Sequence, residues 1–120
     1  EAVAQYELDL ELKPDLLSTH NTIAWIQGTQ KDPELYNPGS ALVNAQQAAK
    51  TTLDKLTGKY HSPQILDTLA AAQAANGQFE AAVETATLAI EISRRKGLDS
   101  VAEKIQKRLA LYKQQKPYRE

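Results

Sequence analysis

An all-α fold of about six antiparallel helices is predicted by three features of the sequence. Apolar residues recur at three- and four-residue spacing, and prolines and glycines cut that pattern into helix-length pieces. Eight alanines fall between residues 69 and 86, where two neighbouring helices would cross. Small side chains let two backbones approach closely, so this stretch specifies a tight helix hairpin.

The helices follow in order. "EAVAQYELDLELK" ends at Pro14 and places Ala2, Val3, Tyr6 and Leu10 on one face. A second helix covers residues 15–30 and carries Leu17, Ile23, Ala24 and Ile26. "KDPELYNPG" breaks the pattern with two prolines and a glycine, predicting a loop over 31–39. Ser40 is the expected N-cap of a third helix, "ALVNAQQAAKTTLDKL", which should stop near Gly58. Ser62 and Pro63 supply an N-cap and a first-turn proline for the fourth, which closes at Asn76-Gly77. The fifth runs over 78–96 and closes at Gly97. The sixth, "LDSVAEKIQKRLALYKQQ", sets Val101, Ile105, Leu109 and Tyr112 along one stripe and ends before Pro117. Little room is left for strands.

At 120 residues the chain is one domain's worth, and 42% hydrophobic with 24% charged residues is ordinary for a globular protein. No apolar run approaches the roughly 20 residues that span a bilayer, and no signal peptide is visible. The chain opens at Glu1 rather than Met, which reads as an excised piece, while "PYRE" reads as a natural end. With no cysteine, disulfides and zinc-thiolate sites are excluded. The net charge of −1 hides an asymmetry: nine of the 14 Lys/Arg but only three of the 15 Asp/Glu lie from Arg94 onward.

The helices repeat a theme. "EAVAQYELDLELKP" aligns with "EAAVETATLAIEIS", "ALVNAQQAAK" echoes both, and "NTIAWI" matches "DTLAAA", setting Ile23-Ala24 over Leu69-Ala70. In the best unit, residues 63–96, the positions that match are Leu66, Leu69, Ala70, Gly77, Phe79, Ala82, Ala89 and Ile90. This resembles the tetratricopeptide repeat (TPR), a helix pair of about 34 residues with small residues at its seam. The resemblance implies a right-handed antiparallel helix-hairpin solenoid over 1–120: the second helix of a partial repeat (1–14), a repeat with the inserted loop (15–61), a repeat (62–97) and a capping helix (98–116). Asp9 stands where the family prefers alanine, and Gln73 and Ala86 replace usual aromatics.

Little in the chain points to catalysis. His20 and His61 are the only histidines and lack the helical spacing of a metal pair. Asp32, Glu34 and Asn37 lack the glycine and final glutamate of a calcium loop. The five glycines form no phosphate-binding run. A carboxylate pair would have to be Asp67 with Glu80 or Glu84, and nothing there argues for a perturbed pKa. No enzyme activity, cofactor or metal is expected. The basic third is read as a solvated face, since its charges alternate with the core stripe and Arg94, Arg95 and Lys96 suit a helix C-terminus. Nucleic acid is not expected as a partner.

The resemblance implies a protein–protein interaction scaffold that binds a peptide or protein in its concave groove, within a larger bacterial-type parent. The alternative is a structural domain that caps or dimerises the parent. The groove should be walled by the helices of 15–30 and 62–76, with an open floor at Ala71, Ala74 and Ala75. Asn21, Ser18, Gln64 and Asp67 are its polar candidates, and Asp67 as its charge favours a basic partner. Trp25 either anchors a ligand there or packs beneath the 31–39 loop against Pro33, Tyr36 or Pro38; the nearby loop favours the second. The 62–76 helix has no Lys or Arg, so the family's mode of clamping a C-terminal carboxylate looks absent.

Overall fold

The computed structural model describes residues 17–51, 53–54, 59–60 and 62–120, with the backbone alone at 17–19, 51, 53–54 and 59–60. Among them are five helices: α1 (Leu17–Thr29), α2 (Pro38–Thr51), α3 (Pro63–Ala75), α4 (Phe79–Arg95) and α5 (Asp99–Lys113). The helix expected over 1–14, with Ala2, Val3, Tyr6, Asp9 and Leu10, lies outside the described residues. So do His61 and the side chain of Ser18.

Two boundaries differ from expectation. Asn37, not Ser40, begins α2: its side-chain oxygen accepts the Ser40 N–H at 3.3 Å and its carbonyl accepts the Ala41 N–H at 2.9 Å. Pro38 and Gly39 therefore belong to the first turn, where proline's missing N–H costs nothing. Asp32 shapes the shortened loop, taking the Glu34 N–H on its carboxylate at 3.0 Å. At its other end α2 stops at Thr51, well before Gly58. There β1 (Leu53–Asp54) pairs antiparallel with β2 (Lys59–Tyr60), Leu53 opposite Tyr60.

The ends of α3 and α4 follow their glycines. Gly77 and Gly97 sit at φ 77 and 73, and the next residues' N–H groups return to Gln73 O at 2.9 Å and Ser93 O at 2.8 Å. This left-handed C-terminal turn is cheap only for glycine.

Helices adjacent in sequence pack on one another, α1 on α2, α3 on α4 and α5 on α4. α3 also packs on α1 and α2 and touches α5. The interior is built largely of alanine: Ala24, Ala41, Ala45, Ala48, Ala70, Ala72, Ala82, Ala86, Ala89 and Ala102 are all buried, with Leu66, Ile105 and Tyr112 as the larger fillers. Ile23-Ala24 and Leu69-Ala70, aligned by sequence, are buried alike. The α5 stripe also holds, Ile105 and Tyr112 buried and Val101 and Leu109 packed at its rim. Where the resemblance expects a ring, Gln73 accepts a hydrogen bond from the Thr85 hydroxyl at 2.8 Å and links α3 to α4. His20 Nδ1 lies 3.0 Å from Asn44 Oδ1, which ties α1 to α2.

Gly28 sits where α1 meets α2 and α3. A Cβ there would meet Ala41 Cβ at 3.5 Å and Ala72 Cα at 3.7 Å, ordinary contact distances. Since glycine inside a helix costs up to about 1 kcal/mol relative to alanine, Gly28→Ala should stabilise the fold by up to that amount. Urea unfolding checks it; a loss of stability would mean that the seam has no room for a methyl group.

Candidate functional site

α1, α3 and α5 each send one side chain to a common place. Trp25 lies on α1, Asp67 on α3 and Arg108 on α5. Arg108 grips Asp67 with two hydrogen bonds, Nε to Oδ1 at 2.9 Å and Nη2 to Oδ2 at 2.5 Å. The guanidinium carbon also stands 5.2 Å from the Trp25 ring centroid and 5.1 Å from that of Tyr118. The two rings meet at 5.8 Å, tilted by 41°. Arginine suits this position because its planar cation can pair a carboxylate along its edge while its faces lie over rings.

Tyr118 comes from the segment after α5. The chain turns back at Gln115, a non-glycine residue at φ 59, where the Lys116 N–H returns to Leu111 O at 3.0 Å. Residues 117–120 then run to the C-terminal end of α1. The Glu120 N–H donates to Thr29 O at 2.6 Å, and Arg119 donates from Nε and Nη2 to Gln30 O at 3.1 and 2.8 Å. Glu120 accepts the Trp25 indole N–H at 3.1 Å and the Gln30 amide at 3.4 Å. Arg119 lies over the Tyr36 ring, 3.7 Å from its centroid. These contacts meet a local need. The last carbonyls of a helix lack intrahelical donors and attract cations, and α1 has no basic residue in its final turn.

Burial sets the electrostatics. It pushes the Asp67 carboxyl above its usual range, and the hydrogen bonds and charge of Arg108 pull against that shift. Burial opposes the charge on Arg108 too, but Asp67 holds its pKa above the ordinary value. Beneath the pair, burial pushes the Tyr112 hydroxyl well above its ordinary range, with the charge of Asp67 adding to it. The Tyr112 oxygen is enclosed and has no hydrogen-bond partner among the described residues. Tyr112→Phe should therefore leave the melting temperature unchanged or raise stability by up to about 1 kcal/mol. A clear loss would assign that hydroxyl a bonding role.

The site residues expected from sequence meet different fates. Trp25 and Asp67 come together, bridged by Arg108. The Trp25 ring meets Tyr118 and Arg108; of the loop residues expected over it, Pro33 is exposed and the Tyr36 ring lies under Arg119. Asp67 is not a vacant charge awaiting a basic partner, because Arg108 of its own chain neutralises it. Ala71 and Ala74 are each 1% exposed, so they form no open floor; only Ala75 is half-buried, and its carbonyl accepts the Tyr36 hydroxyl at 3.4 Å. Gln64 is exposed in the first turn of α3. Asn21, one turn before Trp25, is half-buried with an enclosed side-chain oxygen that has no partner among the described residues. Nor does the whole basic third form a solvated face, since Arg108 is drawn inward.

Sequence reasoning missed Arg108, Tyr118, Arg119 and Glu120, and named Tyr36 only as a packing neighbour of Trp25. One signal was available: a ring, a cation and an acid follow Pro117 in a short segment, while α1 ends without a basic residue to serve its carbonyls. Among the described residues, no helix is long and apolar enough to cross a membrane. No family model matches the chain, and no curated protein or solved structure is significantly similar to it.

Proposed function

We propose that the chain is a protein–protein interaction scaffold, a TPR-like array of helix hairpins that holds an extended segment of a partner on the face shared by α1, α3 and α5. The arrangement of helix contacts supports the array: each hairpin packs on the next through α3, as expected where repeats stack by nearest neighbours. One observation carries the function. This face already holds a short stretch of chain without regular secondary structure, residues 117–120, through an aromatic pair, a cation over a ring, the Trp25 indole N–H and helix-end carbonyls. Tryptophan, tyrosine and arginine are the side chains that most often dominate binding energy at interfaces. Such a surface suits a peptide better than a small metabolite, which favours an enclosed pocket.

Panning a random peptide display library against the full chain tests this. The enriched sequences should pair an aromatic residue with a basic one, and Trp25→Ala should weaken their binding about 30-fold, as loss of an anchor ring does. A library that yields no binder, or binders indifferent to Trp25→Ala, would remove the face from consideration. A stable dimer in sedimentation, with no peptide enriched, would favour a structural role in capping or dimerising a parent protein.

A further inference from the structure

We infer that the face of Trp25, Asp67 and Arg108 reads a segment in the order aromatic, guanidinium, carboxylate; that residues 117–120 occupy it in cis; and that a partner presenting a Tyr-Arg-Glu-like segment enters by displacing them. This rests on the function proposed above and adds its specificity and its gate.

Each position of the segment meets a different feature. Tyr118 completes the stack on Trp25 and Arg108. Arg119 brings N–H donors and a positive charge to the C-terminal end of α1, and its cation lies on Tyr36. Glu120 offers acceptors to the Trp25 indole and the Gln30 amide while its backbone N–H serves Thr29 O. The order matters electrostatically. Exchanging the arginine and the glutamate would set a carboxylate against helix-end carbonyls of the same sign and leave the indole N–H facing a cation. Since Asp67 is satisfied by Arg108, the receptor offers a neutral pair and a ring rather than a bare charge.

The occupant is also held in a way that permits release. Arg119 and Glu120 are exposed, and the segment reverses direction through Gln115 in a backbone conformation that glycine takes freely and glutamine does not. A segment tethered by so few residues acts at an effective concentration in the millimolar range, so it masks the face from weaker ligands. Only a partner with the same chemistry at higher affinity, or at high local concentration, replaces it.

The test compares the full native chain with the full chain carrying Tyr118→Ser and Arg119→Ser. The probe is the peptide Lys-Pro-Tyr-Arg-Glu, blocked at both ends and labelled for anisotropy. Trp25 is the single tryptophan, so its emission reports the same face independently. The peptide should bind the variant ~10-fold or more tightly than the native chain, because the cis competitor is gone, and should shift the Trp25 emission back toward the native spectrum. A peptide with Arg and Glu exchanged should bind ~10-fold more weakly. Equal binding to both chains, or no binding to a variant whose circular dichroism and melt match the native chain, overturns the inference. If the variant fails to fold, Glu120→Lys at an exposed position repeats the comparison. Library-selected peptides that Trp25→Ala weakens but that Lys-Pro-Tyr-Arg-Glu does not displace would leave the scaffold function standing and remove this inference, whereas a face that binds no peptide removes both.

Discussion

Arg108→Met should destabilise the fold by about 3 kcal/mol, because it leaves the buried Asp67 carboxylate without its partner. The double variant D67L/R108M should recover most of that loss, since replacing both members of a buried ion pair by apolar side chains is often neutral. The pH dependence has a definite sign. Burial already holds the Asp67 pKa above its unfolded value, and removing Arg108 raises it further. A carboxyl with a raised folded-state pKa favours folding while protonated, and that contribution is lost as pH rises through the folded pKa. The deficit of Arg108→Met should therefore be larger at pH 7 than at pH 4. Denaturant melts at the two pH values measure it; an equal deficit at both would mean that Asp67 is not the group left stranded. Trp25 emission should move to longer wavelength in the same variant, as the cation over the indole is lost and the Tyr118 ring loses its support.

Ala70→Leu and Ala82→Leu form the second expected result. Both alanines are fully buried at the α3–α4 crossing, and added methylenes would force the helices apart at a cost of about 1–3 kcal/mol each. Ala110→Leu, on the exposed side of α5, should stay within about 0.5 kcal/mol and serves as the control. Thermal melts that fail to separate the seam variants from the control would show that the crossing is not specified by small residues. The same reasoning reverses the expectation for Ala74. On an open groove floor an arginine would have been tolerated there; at 1% exposure, Ala74→Arg would bury a charge in the core.

Much of the fold was legible because its signals are local. Pro63, Gly77 and Gly97 mark helix limits through constraints that act within one turn, and the structure places those limits within a residue or two of expectation. The alanine seam was legible because helical spacing brings Ala82, Ala86 and Ala89 to one face. The end of α2 was misjudged because a two-residue strand pairing competes with a continuing apolar pattern. Asn37 was passed over for Ser40 because proline and glycine together read as a loop, although proline also opens helices.

The sequence by itself determined the helix limits that Pro63, Gly77 and Gly97 impose, and which helix faces are small enough to meet. Only the tertiary structure decided what Trp25 and Asp67 do. Arg108 reaches Asp67 across 41 positions and Glu120 reaches Trp25 across 95, separations to which a periodicity of 3.6 is blind. The return of the chain hinges on Gln115 at φ 59, where the residue type gives no warning of a left-handed turn. Its physical cause lies in another element: α1 ends with carbonyls that need donors, and residues 117–120 bring them once α5 has packed onto α4.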